Sequence, residues 1–274
     1  MHQFKIFDSN QIHIGITTRL GGVSKAPFND MNTGFYGNDT KEDVMINIKR
    51  SLDSLDVDAK TIIATRQVHG TQILELNDLS SLNQLKKFDT SNTALEGYRL
   101  FMADQTDGLI TNNSDFVLMT FYADCVPLIF FDPVKRCVAT VHSGWRGTKD
   151  RIGQVAIEKM LRTYGSKIED IRVGIGHSAG KCCYEVDFPV IEAFEQRFPM
   201  SWLENAVFPK DYGKYHIDLK WINEQLMKSL GVLPEHIEVD LACTICNPET
   251  YHSHRFSKGG PRGSMSAFAQ LNKL

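Results

Sequence analysis

Phe116-Val117-Leu118-Met119-Thr120-Phe121-Tyr122-Ala123-Asp124-Cys125-Val126-Pro127-Leu128-Ile129-Phe130-Phe131-Asp132-Pro133 is the stretch on which the fold turns. It holds two apolar runs, Phe116–Tyr122 and Val126–Phe131. Each is too short for a core helix, rich in β-branched and aromatic residues, and bounded by Asp, Pro or Gly, which predicts strands. Asp132-Pro133 is a turn signal, and the apolar run Cys137–Val141 follows it, so the second and third strands are expected to form a hairpin. Asp124 and Pro127 interrupt the stretch, so it is not a membrane span.

Outward from this centre, Ile171–Ile175 and Ile237–Leu241 read as two further strands. Helices are predicted where apolar residues recur at helical spacing between start and stop signals. Thr40, with Asp43 three residues on, resembles a capping box opening Lys41–Leu52. Ile152, Val155, Ala156, Met160 and Leu161 make one stripe that Gly165 ends; Leu219, Ile222, Leu226 and Leu230 make another before Gly231. Pro189–Phe198 is a further helix, and the polar stretch Asn77–Thr93 reads as an exposed loop. The expectation is one domain over residues 1–274 with α and β elements intermixed.

Composition narrows the function. Hydrophobic residues are 42% and charged residues 23%, and the formal net charge is −3, without the basic excess of a general nucleic-acid binder. Met1-His2-Gln3-Phe4-Lys5 lacks the apolar core of a secretion signal, so a cytoplasmic protein with no membrane partner is expected. Six cysteines in such a chain read as thiols or metal ligands, not as a disulfide framework.

Three short segments set a soft ligand beside a turn: Gln67-Val68-His69-Gly70, Ala123-Asp124-Cys125-Val126-Pro127 and Val141-His142-Ser143-Gly144-Trp145-Arg146-Gly147. One thiol and two imidazoles are what an open catalytic site for zinc or copper needs, although this spacing is not a standard zinc signature. The plainer reading is a buried thiol and two surface histidines. Cys125 and His142 fall at the ends of neighbouring strands, where they can meet. Asp124 is either an acceptor for a ligand histidine, a general base, or a turn cap. Arg66, Arg146 and Arg255 are candidates for gripping an anion. Cys182-Cys183 follows a glycine turn and reads first as packing. Cys243 and Cys246 form a lone C-x-x-C of low specificity, which His252 and His254 would have to complete as a second metal site.

Five blocks in register carry a family resemblance. Thr17-Thr18-Arg19-Leu20-Gly21-Gly22-Val23-Ser24, Gln67 to Gly70, Ala123 to Pro127, His142-Ser143-Gly144-Trp145-Arg146-Gly147-Thr148 and Cys182-Cys183-Tyr184-Glu185-Val186 resemble the YfiH/YlmD family, also called laccase-domain or multicopper polyphenol oxidase-like proteins. The resemblance implies an α+β fold, a single-domain mixed β-sheet sandwich with flanking helices similar to the cytotoxic necrotizing factor deamidases. It implies a zinc ion on His69, Cys125 and His142. It implies purine nucleoside phosphorylase activity on adenosine, inosine and S-methyl-5'-thioadenosine, with adenosine deamination. Catalytic roles would fall to Cys125, His142 and Asp124, and contacts to nucleoside and phosphate to Arg66, Gln67, Arg146 and Arg255.

Other readings lead elsewhere. A copper polyphenol oxidase needs several coppers and many histidines, whereas this chain has nine, scattered. A Cys–His hydrolase would use Cys125 as nucleophile and His142 as base. Some members resemble a peptidoglycan precursor editing factor. The chain also departs from the family pattern. The turn before the cysteine pair, usually proline-rich, reads Gly176-His177-Ser178-Ala179-Gly180-Lys181, and the C-terminal block reads His252-Ser253-His254-Arg255-Phe256, then Arg262-Gly263-Ser264-Met265. Substrate preference is expected to follow those changes.

Overall fold

The computed structural model of the chain describes residues 1–35 and 37–273. Two six-stranded mixed sheets face each other. The first sets Ile12–Ile16, Met265–Leu271, Phe116–Tyr122, Thr61–Arg66, Arg99–Asp104 and Lys86–Phe88 side by side in that order. The second orders Ile237–Val239, Arg172–Ile175, Val126–Asp132, Cys137–Ser143, Gly108–Thr111 and Ile73–Leu76. A small three-stranded sheet joins Glu185–Asp187, Lys214–Ile217 and Val207–Pro209.

The side-chain alternation of the two central strands explains why they read as continuous apolar runs. Phe116 and Leu118 point into the layer between the sheets, with Ile129 and Phe131 from the other sheet. Val117, Met119 and Phe121 point the opposite way, onto the helix Lys41–Asp53. Val126, Leu128 and Phe130 point outward onto the helices Ile152–Lys159 and Leu219–Ser229. Strands buried on both faces lose the polar alternation of a half-exposed strand. Each fully buried Leu or Phe there contributes about 2 kcal/mol of hydrophobic stabilisation. The result is four layers, helix–sheet–sheet–helix, which is the expected sandwich with flanking helices.

Local signals act as the sequence predicts at several points. The Thr40 side chain accepts from the Asp43 N–H and caps the first helix. Val126–Asp132 and Cys137–Ser143 form the expected antiparallel hairpin, with Pro127 opposite His142. Gly165, at φ +66°, ends the segment after Ile152–Lys159, once the chain has widened into a π turn over Met160–Tyr164. Elsewhere the structure corrects the expectation. The polar stretch 77–93 is not all loop, because Leu79–Leu82 is a 3-10 turn and Lys86–Phe88 an edge strand. Exposed lysines on that edge hide it from a hydrophobic pattern and guard it against pairing with another chain. Ile237–Leu241 shortens to Ile237–Val239: the Asp240 N–H still reaches the Ile175 carbonyl, but the Asp240 carbonyl is taken by the Lys220 ammonium. Among the described residues no helix is long and apolar enough to cross a membrane.

Candidate metal centre

Cys125 lies on the turn that carries the chain from one sheet to the other. Asp124, at φ +87°, makes that turn tight. The hairpin register sets His142 opposite Pro127, two residues from Cys125. His69 follows the strand Thr61–Arg66 and takes φ +61°. One ligand atom from each of His69, Cys125 and His142 then lies within 4.8 Å of the others. The two imidazoles meet edge to face with ring centres 4.8 Å apart. Gly144 closes the floor: a Cβ there would sit 2.9 Å from His69 Cδ2 and 3.1 Å from Cys125 Sγ, so only glycine leaves room for the ligands.

One buried carboxylate, absent from the sequence expectation, organises the group. Asp107 is fully buried. Its Oδ1 accepts from the His69 N–H and from His142 Nδ1, each at 2.9 Å. Its Oδ2 accepts from the N–H groups of Val68 and Gly70 at 3.2 and 2.8 Å. Burial alone would raise its pKa, but the bonds from His142 and the backbone outweigh that and hold it below the usual carboxylate range. An ionised carboxylate only accepts, so Nδ1 of His142 carries a proton, and Nε2 is the nitrogen that can donate to the thiol or, once deprotonated, bind an ion. Burial would likewise push the Cys125 thiol up, but the charge of His142 and hydrogen bonds from both histidines bring it down to about 6. His142 moves the other way, to about 9: burial disfavours its charge, and Cys125 and Asp107 favour it more. The group is thus poised to present a thiolate near neutral pH.

His69, Cys125 and His142 open onto a cleft of about 200 Å³, lined also by Gln67, Phe121, Tyr122, Ala123, Arg262 and Ser264. Gln67 lies in that wall, but its amide is engaged, accepting from the Phe121 N–H and donating to the Phe121 carbonyl, both at 2.8 Å. Arg66 points away and pairs with Asp104 at 3.8 Å on the surface. Arg146 is exposed and lies over the Trp145 ring at 4.3 Å. Arg255 lies over Tyr184 at 4.9 Å and rims a neighbouring pocket with Trp145, Glu185 and Lys214. Asp124 is buried with both oxygens taken, one by the Thr244 hydroxyl at 2.6 Å and one by the Arg255 N–H at 2.7 Å. The part of holding a ligand histidine falls to Asp107. The arginine that faces the ligands is Arg262, whose Nε is buried without a hydrogen-bond partner. Its signal in the sequence is its place in the glycine-rich turn Gly259 to Gly263.

His252 supports that turn. It is 2% exposed, and a Cβ on Gly263 would lie 2.4 Å from its Nε2. Burial and the charges of Arg19 and Arg262 push its pKa down to about 3. Unfolded, the same imidazole takes up its proton near pH 6.5. Stability from its neutral form is therefore full above pH 6.5 and lost as pH falls toward 3. Between about pH 7 and about pH 5 the loss from this residue is expected to reach about 2 kcal/mol. Urea unfolding of the parent and of His252→Asn at the two pH values checks this, the variant showing the smaller drop.

A family model described as "Multi-copper polyphenol oxidoreductase laccase" matches residues 13–272. The chain is 31% identical over 266 residues to "Purine nucleoside phosphorylase YlmD" of Bacillus subtilis, covering 97% of this chain and 91% of that protein. It is 33% identical over 258 residues to the protein of the same name from Geobacillus stearothermophilus, covering 93% of this chain and 88% of that one. Among solved structures, Bacillus licheniformis hypothetical protein YfiH superposes with a TM-score of 0.84 at 33% identity, over 97% of this chain and 94% of that chain.

Proposed function

Because the chain belongs to the multi-copper polyphenol oxidoreductase laccase family yet, among its described residues, gathers imidazoles into a ligand group in one place only, we propose that it is a purine nucleoside phosphorylase with a single zinc ion in its catalytic site. A multicopper oxidase would need several histidine-rich sites. One thiolate with two imidazoles suits a single zinc with an open position, and the Asp107–His142 bond is the support such a ligand set requires. The observation that carries the proposal is the meeting, in one cleft, of that ligand set and an unpartnered buried arginine nitrogen. The names of the relatives point to the same activity. Within this reading the whole of residues 1–274 acts as one cytoplasmic catalytic domain.

His69, Cys125 and His142 would hold the ion, which when bound supplies Lewis acidity to an oxygen at the open position. Phe121 and Tyr122 offer an aromatic wall for the purine. Arg262 grips phosphate, whose oxygen bonds to the ribose anomeric carbon as the bond to the base nitrogen breaks. The base leaves with a proton and the sugar as its 1-phosphate. Arg146 and Arg255, around Tyr184, meet the outer part of the substrate. Adenosine, inosine and S-methyl-5'-thioadenosine are the proposed substrates, and the second activity is hydrolysis at adenosine C6, where water oxygen bonds to the carbon and the amino group leaves as ammonia. Metal-loaded protein given adenosine and phosphate should release adenine and ribose 1-phosphate; no turnover of any purine nucleoside would overturn the reading.

Arg262→Gln sharpens it. Losing a charge-assisted contact costs about 1.5–3 kcal/mol, so KM for phosphate should rise about ten- to a hundredfold. KM for the nucleoside should move far less. Initial rates over a phosphate series measure the split.

A second reading rests on the Cys125–His142–Asp107 chain of contacts, which has the order of a nucleophile, base and orienting carboxylate. As a Cys–His hydrolase the protein would keep its activity after chelation and lose it on alkylation of Cys125. The phosphorylase reading expects chelation to stop turnover.

A further inference from the structure

The lone C-x-x-C finds partners that the sequence reading did not give it. His252 is buried against Gly263, and among the described residues neither it nor His254 joins this pair in a ligand group. The sulfurs of Cys182, Cys183, Cys243 and Cys246 instead lie within 4.8 Å of one another. All four are free thiols. Cys246 Sγ is 3.3 Å from Cys182 Sγ and 3.1 Å from Cys183 Sγ. Those separations are far beyond a disulfide bond of about 2.05 Å. Tetrahedral zinc with Zn–S bonds of about 2.3 Å sets its sulfurs about 3.8 Å apart, within the 4.8 Å that bounds all four sulfurs here.

The backbone around the cluster is arranged for anionic sulfur. The Gly180 N–H donates to Cys243 Sγ at 3.2 Å. The N–H groups of Ile245 and Cys246 reach the same sulfur, so the loop Cys243-Thr244-Ile245-Cys246 wraps one thiolate with its own amides. Gly180 is required here, because a Cβ would sit 3.0 Å from Cys243 Cβ and 3.3 Å from the sulfurs of Cys182 and Cys243. The buried ammonium of Lys220 donates to the carbonyls of Asp240 and Ala242 at 2.9 and 2.8 Å, and its charge is felt at Cys243 and Cys182. Four thiolates around a dication leave a charge of minus two, which this lysine partly offsets.

We propose that Cys182, Cys183, Cys243 and Cys246 form a second metal site, a tetrathiolate that binds one zinc ion and fastens together the two loops beside the cleft. Each thiol gives up its proton to solvent as the ion binds, and no redox step is involved. Four thiolates leave no open position, so the ion is structural. Its place explains what it holds. Thr244, inside the C-x-x-C, bonds Asp124, and the Ala179 N–H donates to the Asp124 carbonyl, so both loops are tied to the residue next to Cys125. Tyr184 follows Cys183 directly and lies under Arg255. The site therefore sets the wall on which Tyr184 and Arg255 stand.

The test is zinc content by mass spectrometry of full-length protein purified under reducing conditions. The parent should hold two zinc ions per chain. Cys125→Ser and the double variant Cys182→Ser/Cys246→Ser should each hold one, which separates this site from the one in the cleft. A differential alkylation of the parent keeps the answer open to refutation if the double variant does not fold. Cys182, Cys183 and Cys246 should resist iodoacetamide until a chelator is added. A Cys125→Ser protein with no zinc, or prompt alkylation of Cys182, Cys183 and Cys246 in zinc-loaded parent, would overturn the proposal.

Discussion

Cys125→Ser protein is expected to lose the cleft zinc and, with it, adenosine phosphorolysis by ~10³-fold or more, the scale reached when a reaction centre loses a group that stabilises developing charge. The reason is ionisation. The thiol of Cys125 is brought to about 6 against the cost of burial, by the charge of His142 and by bonds from His142 and His69. A serine hydroxyl in the same place stays protonated and is a poor ligand for a soft ion. The side chains are similar in size, and Gly144 already leaves the space, so the fold should hold. Zinc content, circular dichroism and the rate of adenine release would be measured on one preparation. Retained zinc and retained rate would remove Cys125 from both the ligand and the nucleophile roles.

Asp107→Asn should weaken both the site and the fold. Four donors converge on its two oxygens: His142 Nδ1 and the N–H groups of Val68, His69 and Gly70. An asparagine turns an NH₂ group toward two of those donors and leaves them buried without acceptors. The cost is expected to be about 2–6 kcal/mol of stability, at about 1–3 kcal/mol for each of the two unmet buried groups. Losing the carboxylate that fixes the His142 tautomer should also lower zinc affinity about ten- to a hundredfold. Denaturant midpoints and competition with a chromophoric chelator separate the two effects. An unchanged zinc affinity would show that His142 needs no such support.

How far the sequence foretold this depends on where each signal lay. The central hairpin was legible because both faces of its strands are buried, which leaves an unbroken apolar run. The partner strand Met265–Leu271 was not. Met265-Ser266-Ala267-Phe268-Ala269-Gln270-Leu271 is alanine-rich and lacks a strand composition, and its place between Ile12–Ile16 and Phe116–Tyr122 overrides that weak preference. His69, Cys125 and His142 stood out as a candidate ligand set by residue type and strand-end position, and the fold brings them together. Asp107 did not, because Asp107-Gly108 reads as an ordinary turn, and only the folded chain brings the Val68–Gly70 amides to it. The arginines show the same limit. Arg146 lies beside His142 in sequence yet is exposed over Trp145, whereas Arg262 reaches the cleft from a loop far along the chain. The four-cysteine cluster joins segments about sixty residues apart, and neither segment alone carries enough ligands to announce it.

The most direct measurement is a zinc titration of chelator-stripped protein, with phosphate-dependent release of adenine from adenosine as the readout. Activity should be absent without metal and should return with zinc in the parent. It should stay absent in Cys125→Ser at every zinc level. Full phosphorolysis by the stripped protein, or recovery in Cys125→Ser on adding zinc, would contradict the claim that His69, Cys125 and His142 hold the working ion.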